Sequence, residues 1–188
     1  ETDAEVTDLV MEDGAVVGAE VRHCDGPGPA STHAGQQEVI RADHVVNATG
    51  PWAGTIGAMA GVDIDIRLAK GAMTVMNVRQ VDTVINRCRP KGDADIIVPH
   101  ETTAILGTTD IEVADPEAYP EEGWEVERLI DELADLVPIL ADARTIRSFW
   151  GVRPLYEPPA RATPDTKDVT RDFFLLDHAE RDARPGLT

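Results

Sequence analysis

The 188-residue chain carries 17 basic and 35 acidic residues, a formal charge of −18 near neutrality, with 14 Arg against three Lys. Such a field repels nucleic-acid phosphates and anionic lipid headgroups, which argues against a nucleic-acid partner, and the acid-rich, lysine-poor balance resembles that of salt-adapted cytosolic proteins. No apolar run approaches the ~18 residues of a membrane span, and two cysteines 64 positions apart, Cys24 and Cys88, suggest neither a disulfide framework nor a zinc site.

A chain of this length buries roughly 70% of its unfolded surface, enough for one core or two small ones. Glu5 to Glu12 and Ala15 to Arg22 are β-rich runs joined by Asp13-Gly14, a dipeptide that supplies the positive φ angles of a tight hairpin. Cys24 to Gly35 reads as an exposed polar loop and Gln37 to Ile40 as a third strand. Asp43 to Thr49 is an apolar run that predicts a buried strand stopping at the turn Gly50-Pro51-Trp52. Gly71 to Val78, Asp95 to Pro99 and Thr103 to Gly107 predict a second β layer, the last two joined by His100-Glu101-Thr102, with the basic stretch Val81 to Lys91 as a solvated loop. From Glu122 onward, Leu129, Ile130, Leu133, Leu136, Val137 and Leu140 recur at helical spacing and predict a helix facing a core, ended or kinked by Pro138. Arg144 to Trp150 and Asp168 to Leu176 are the last predicted strands, separated by a proline-rich loop from Pro154 to Pro164. The resulting class is α+β, mainly antiparallel sheet with one substantial helix.

Nucleophile-elbow, zinc-protease and P-loop spacings are absent, as is a dinucleotide GxGxxG, and the five histidines are scattered, so no metal site is expected. Three glycine-bearing segments remain: Asn47 to Trp52, Gly107-Thr108-Thr109-Asp110 and Gly151-Val152-Arg153-Pro154, where backbone at a strand end can approach a ligand closely. Arg153 lies in SFWGVRPLY, residues 148 to 156, among apolar and aromatic neighbours. Burying that planar, permanent cation alone would cost on the order of several kcal/mol, so it needs a carboxylate partner or an anionic ligand. Arg171, 18 positions on, returns alongside it if the intervening loop folds back, and two arginines suit a phosphate or carboxylate better than one. The competing reading gives each arginine a private acid, such as Glu157 or Asp172.

VVNATGPWAG (45–54), RLAKG (67–71), ILGTTD (105–110), GVRPL (151–155) and TRD (170–172), in that order, resemble the FAD-dependent glycerol-3-phosphate dehydrogenases of the D-amino-acid-oxidase-like flavoprotein superfamily. VINRCRPKGDADIIVP (84–99) and LLDHAERD (175–182) are similar to the A-subunit of the anaerobic type. The resemblance implies a short β-meander of a flavin-binding domain over residues 1–54, and a substrate domain on a large antiparallel sheet over 55–188, truncated at its C-terminus. It implies FAD contacts at Ala48, Thr49, Gly50, Pro51, Trp52 and Gly151, and glycerol 3-phosphate held by Arg153, Arg171 and Thr109. The implied reaction passes a hydride from C2 to the flavin and yields dihydroxyacetone phosphate. Arg153 is also the candidate cation for the developing alkoxide. Electrons would leave through partner subunits to membrane quinone, from a cytoplasmic protein at the inner face of the cell membrane.

The family's amino-terminal GxGxxG and its later Gly-Gly-Lys-Leu-Thr-Thr-Tyr-Arg segment are not among these residues. The expectation is therefore an internal part of a longer flavoprotein, inactive and without bound FAD on its own. Lys70-Gly71 is followed by Ala72-Met73 where aerobic relatives carry a histidine, so His100 is a replacement base by location alone. Two other readings stay open: a non-catalytic ligand-binding module, and an amine-oxidising flavoprotein of the same superfamily.

Overall fold

The computed structural model describes residues 3–24, 34–90, 92–158 and 163–188, and the chain divides into two compact units, residues 1–65 with 172–188 and residues 66–171. The division expected after residue 54 thus falls inside the first unit, and the C-terminal segment expected in the second belongs to the first. Burial explains both differences. Ile56, Ala60, Val62 and Ile64 are buried, as is Leu187, and the Val16 amide donates to the Pro185 carbonyl.

In the first unit, β1 (Ala4–Glu12), β2 (Ala15–His23) and β3 (Gln37–Arg41) form an antiparallel sheet in that order. The predicted hairpin is present: Glu12 pairs with Ala15, and Asp13 and Gly14 have φ of 49° and 83°, the signs a type I′ turn demands. Of the expected loop from Cys24 to Gly35, residues 25–33 lie outside the described residues. The buried strand expected over Asp43 to Thr49 does not form. Val45 alone bridges, parallel to Leu187, and Val46 is 67% exposed. An apolar run becomes a buried strand where neighbours cover its edges and faces, and among the described residues the tail Gly186 to Thr188 is what pairs with it. A 3-10 turn, Gly50–Trp52, leads into α1 (Ala53–Met59). This helix lies tight against the following segment, since a Cβ on Gly57 would come 3.1 Å from the Val62 carbonyl. A short α3 (His178–Asp182) follows near the C-terminus.

In the second unit, β4 (Ile66–Met76) is the central strand of a six-stranded sheet. One edge pairs along its length with β9 (Thr145–Tyr156), Ile66 opposite Tyr156 and Gly71 opposite Gly151. The other edge pairs with β8 (Ile111–Val113) and then β7 (Thr103–Gly107), beyond which lie β6 (Ile96–His100) and β5 (Ile85–Asn86). Residues 108–110 therefore cross the gap between β7 and β8 beside Gly71 and Ala72 of the central strand. Strand β9 runs through Pro154, which was expected to open a loop. It has no second strand beside it among the described residues, and an edge tolerates a missing N–H.

Side chains alternate across the sheet, so Ala72 and Met76 face α2 (Gly123–Ala134), packing with Leu129, Leu133, Ile97, Leu106 and Leu140. Full burial of each such leucine contributes about 1.5–3 kcal/mol. The predicted helical stripe is split. Helix α2 stops at Ala134, Pro138 opens a 3-10 turn to Asp142 that returns Leu140 to the same core, and Leu136 stays 43% exposed. On the opposite face Ala69, Leu155 and Val169 form a smaller cluster. The strand expected over Asp168 to Leu176 is also absent. The Asp165 carboxylate accepts from the Lys167 amide to start a 3-10 turn, Thr166–Asp168, and Phe173 and Leu175 are 94% and 80% exposed. The basic stretch after Val81 is more than a solvated loop: it contains β5, Arg87 donates to the Glu132 carbonyl, and Arg89 pairs with Asp95 at 2.8 Å and Glu132 at 3.0 Å. Lys91 lies outside the described residues. Among the described residues no helix is long and apolar enough to cross a membrane.

Candidate substrate and flavin site

Because β9 alternates, Phe149, Gly151 and Arg153 share the sheet face away from α2, together with Ala69, Gly71 and Met73 of β4. Arg153 Nη1 donates to Asp110 Oδ2 at 2.8 Å and Nη2 to the Thr109 carbonyl at 2.6 Å, with Thr108 Oγ1 at 3.4 Å. The guanidinium lies over Gly71: a Cβ there would overlap Nη2 and stand 2.6 Å from Thr108 Oγ1 and 2.8 Å from the Thr109 carbonyl. Arg171 approaches the same Asp110 oxygen at 3.9 Å and is half exposed, whereas Asp110 is buried. The other Asp110 oxygen accepts from Thr166 Oγ1 at 2.7 Å, and the Asp110 amide donates to Asp93 at 3.1 Å. Thr166 and Arg171, beyond β9 in the chain, thus meet the same carboxylate that Arg153 takes.

Glu157, named above as a possible private acid, is engaged elsewhere. It accepts from the Thr163 hydroxyl and amide, each at 2.6 Å, and faces Arg67 at 3.5 Å. The Thr163 hydroxyl, then the Thr163 amide and Arg67, hold its carboxyl below the ordinary range despite some burial. Asp93 anchors a neighbouring cluster, with Arg128 at 2.8 Å and Lys167 at 3.5 Å. Arg128 continues to Glu132, whose partial burial raises its pKa while hydrogen bonds and charge from Arg128 and Arg89 bring it below the usual carboxylate value.

Thr109 is fully buried on the α2 side of the sheet. Its hydroxyl accepts from the Ala72 amide at 2.8 Å and donates to Glu125 Oε2 at 2.6 Å. Glu125 Oε1 takes the Lys70 ammonium at 2.6 Å and the Trp150 indole at 3.2 Å, and Lys70 also donates to the Pro120 carbonyl at 2.6 Å. Both charged side chains are almost wholly buried, at 1% and 0% exposure. Sequence reasoning missed Asp110 and Glu125 as site residues. Glu125 stands four and eight positions before Leu129 and Leu133, a carboxylate in register with a core stripe, which is the signal that marks it.

In the first unit, Thr49 Oγ1 donates to Asn47 Oδ1 at 2.7 Å and Asn47 Nδ2 to the Ala53 carbonyl at 2.9 Å, which fixes the turn into α1. Gly50 takes φ of 60°, a conformation costly for other residues. Ala48 and Trp52 are exposed, and Pro51 sits in the 3-10 turn. In the second unit, a Cβ on Gly151 would meet nothing within 4 Å. The backbone at Gly151 is therefore open on that face of the sheet. His100 is not brought to the arginines. It is exposed at the β6–β7 turn, where its carbonyl accepts from Thr103 at 2.7 Å, a strand length of about 13 Å from Gly107.

The chain matches the family described as FAD dependent oxidoreductase, DAO, over residues 1–182. It is 68% identical over 189 residues to the anaerobic glycerol-3-phosphate dehydrogenase A1-subunit of Haloferax volcanii, covering 100% of this chain and 32% of that protein. It is 38% identical over 189 residues to the anaerobic glycerol-3-phosphate dehydrogenase A-subunit of Escherichia coli strain K12, covering 97% of this chain and 32% of the relative. The chain therefore spans about a third of the length of these curated relatives. Among solved structures it resembles a Bacillus halodurans glycerol-3-phosphate dehydrogenase complexed with FAD, with TM-score 0.65 and 24% identity over 82% of this chain and 31% of that one. It also resembles glycine oxidase from Geobacillus kaustophilus, with TM-score 0.62 and 24% identity over 82% and 37% of the two chains. At these identities the likeness to solved structures is one of fold. The chain belongs to the DAO family of FAD-dependent oxidoreductases.

Proposed function

We propose that this chain supplies the phosphate-binding arginines and part of the flavin contact of an enzyme that oxidises glycerol 3-phosphate to dihydroxyacetone phosphate. The observation that carries the reading is that Arg153 and Arg171 share one buried carboxylate, Asp110. Two permanent cations converge on that one carboxylate, on a face with open backbone beside it, in a protein otherwise strongly acidic. The relatives' description as glycerol-3-phosphate dehydrogenase subunits favours the phosphate of that substrate as the anion.

Arg153 spends Nη1 and Nη2 donors on Asp110, Thr109 and Thr108, which fixes the plane of the guanidinium and leaves Nε–H and one Nη1–H for a ligand. Arg171, at ion-pair distance from Asp110 but too far for a hydrogen bond to it, presents its planar donors to the same anion. Ala48, Thr49, Gly50, Pro51, Trp52 and Gly151 would hold FAD, which when bound accepts the hydride removed from C2. The proton of the 2-hydroxyl passes to a base other than His100, which is exposed at the β6–β7 turn away from the arginines. Electrons would pass through other subunits to membrane quinone at the cytoplasmic face; the relatives' description as one subunit of an anaerobic enzyme supports the part played by other subunits.

In the full-length flavin-loaded protein, Arg153→Lys keeps the charge but loses planar two-point contact. Its kcat/KM for glycerol 3-phosphate is expected to fall by about 2–4 kcal/mol of transition-state stabilisation. Unchanged steady-state kinetics would make Arg153 a structural ion pair and end the proposal.

A further inference from the structure

We propose that Glu125, on the helix behind the sheet, is a positioning residue for the Arg153 guanidinium, acting through Thr109; this rests on Arg153 being the phosphate ligand. The turn Thr108-Thr109-Asp110 is gripped from both faces of the sheet. From the front, Arg153 takes the Thr109 carbonyl at 2.6 Å and the Asp110 carboxylate at 2.8 Å. From behind, the Thr109 hydroxyl is bonded to Glu125 at 2.6 Å, and Glu125 is held by Lys70 and Trp150.

A buried ion pair is weak evidence for stability, because apolar residues of the same volume serve at least as well. What Lys70 and Glu125 add is direction. Glu125 lies in the first turn of α2, where the helix N-terminus favours its negative charge, and its oxygens take three donors, so the carboxylate has one orientation. That orientation sets the Thr109 hydroxyl, the Ala72 amide fixes it to the central strand, and the Thr109 carbonyl is thereby aimed at Arg153. Thr109 is fully buried and touches Arg153 through its backbone, so its expected substrate contact becomes an indirect one.

The test uses the full-length flavin-loaded protein and two substrates, glycerol 3-phosphate and phosphate-free glycerol. Thr109→Val removes the hydroxyl while keeping the shape. It is expected to lower kcat/KM for glycerol 3-phosphate about tenfold, mostly through KM, and to leave kcat/KM for glycerol within about twofold. Thr109→Ser should restore the preference, and Glu125→Gln should erode it in the same direction. Equal losses on both substrates would mean a merely structural role and would overturn the proposal, as would an unaltered preference in Thr109→Val. Where Thr109→Val fails to fold, the same substrate ratio in the double variant Lys70→Met with Glu125→Gln, which leaves no buried charge unpaired, decides. If Arg153→Lys itself leaves the preference unchanged, it is the phosphate-ligand reading that has failed.

Discussion

Gly71 and Arg153 occupy the same space in turn: the arginine head group lies where a side chain on the glycine would stand, on the face of the sheet opposite α2. Its cross-strand neighbour Gly151 has open space instead. Gly71→Ala must displace the Arg153 head or press on the Thr109 carbonyl, and is expected to destabilise by about 1–3 kcal/mol. Gly151→Ala should stay within about 0.5 kcal/mol of wild type in stability while reducing flavin content or turnover in the full-length protein. Denaturant unfolding together with flavin absorbance checks both. Equal stability losses at the two glycines would refute the placement of Arg153.

The Lys70–Glu125 pair makes a separate prediction about stability. Lys70→Met alone leaves a buried carboxylate without its counter-charge and should cost about 3–5 kcal/mol, whereas Lys70→Met with Glu125→Gln removes both charges and should recover most of that loss. Urea unfolding of the two variants measures the difference. A double variant no better than the single would mean that charge pairing is not what Lys70 provides.

The charge of −18 predicts a salt response. Added salt weakens exposed pairs such as Arg22 with Glu5 and Arg41 with Glu12, which solvent already screens. It also screens the excess of acids, with a Debye length near 3 Å at about 1 M. Repulsion summed over the excess outweighs a few surface pairs, so thermal melts should shift upward from low salt to molar KCl. A midpoint that stays put or falls would remove the salt-adapted reading.

Local chemistry was readable where one short stretch decides the outcome. Asp13-Gly14 specifies the first hairpin, and Leu129, Leu133 and Leu140 are all buried together. The two missing strands, over Asp43 to Thr49 and Asp168 to Leu176, failed for a shared reason. An apolar run states that a segment seeks cover, but whether a strand lies beside it depends on distant residues, and Val46, Phe173 and Leu175 are exposed among the described residues. For the site, the need of Arg153 for an acid or an anion and the return of Arg171 beside it followed from charge and spacing. Their common partner did not: Asp110 is one of 35 acids, and only the path of residues 108–110 beside the central strand selects it. Glu125 was overlooked because a glutamate in a helix's first turn is ordinarily a solvated one.

The central claim, that Arg153 and Arg171 jointly hold the substrate phosphate, is tested most directly by titrating dihydroxyacetone phosphate into the oxidised full-length protein, where no turnover intervenes. Arg153→Lys and Arg171→Ala should each weaken binding by about tenfold or more, the loss of a charge-assisted contact, while phosphate-free dihydroxyacetone binds all forms alike. Wild-type affinity for dihydroxyacetone phosphate in both variants would contradict it.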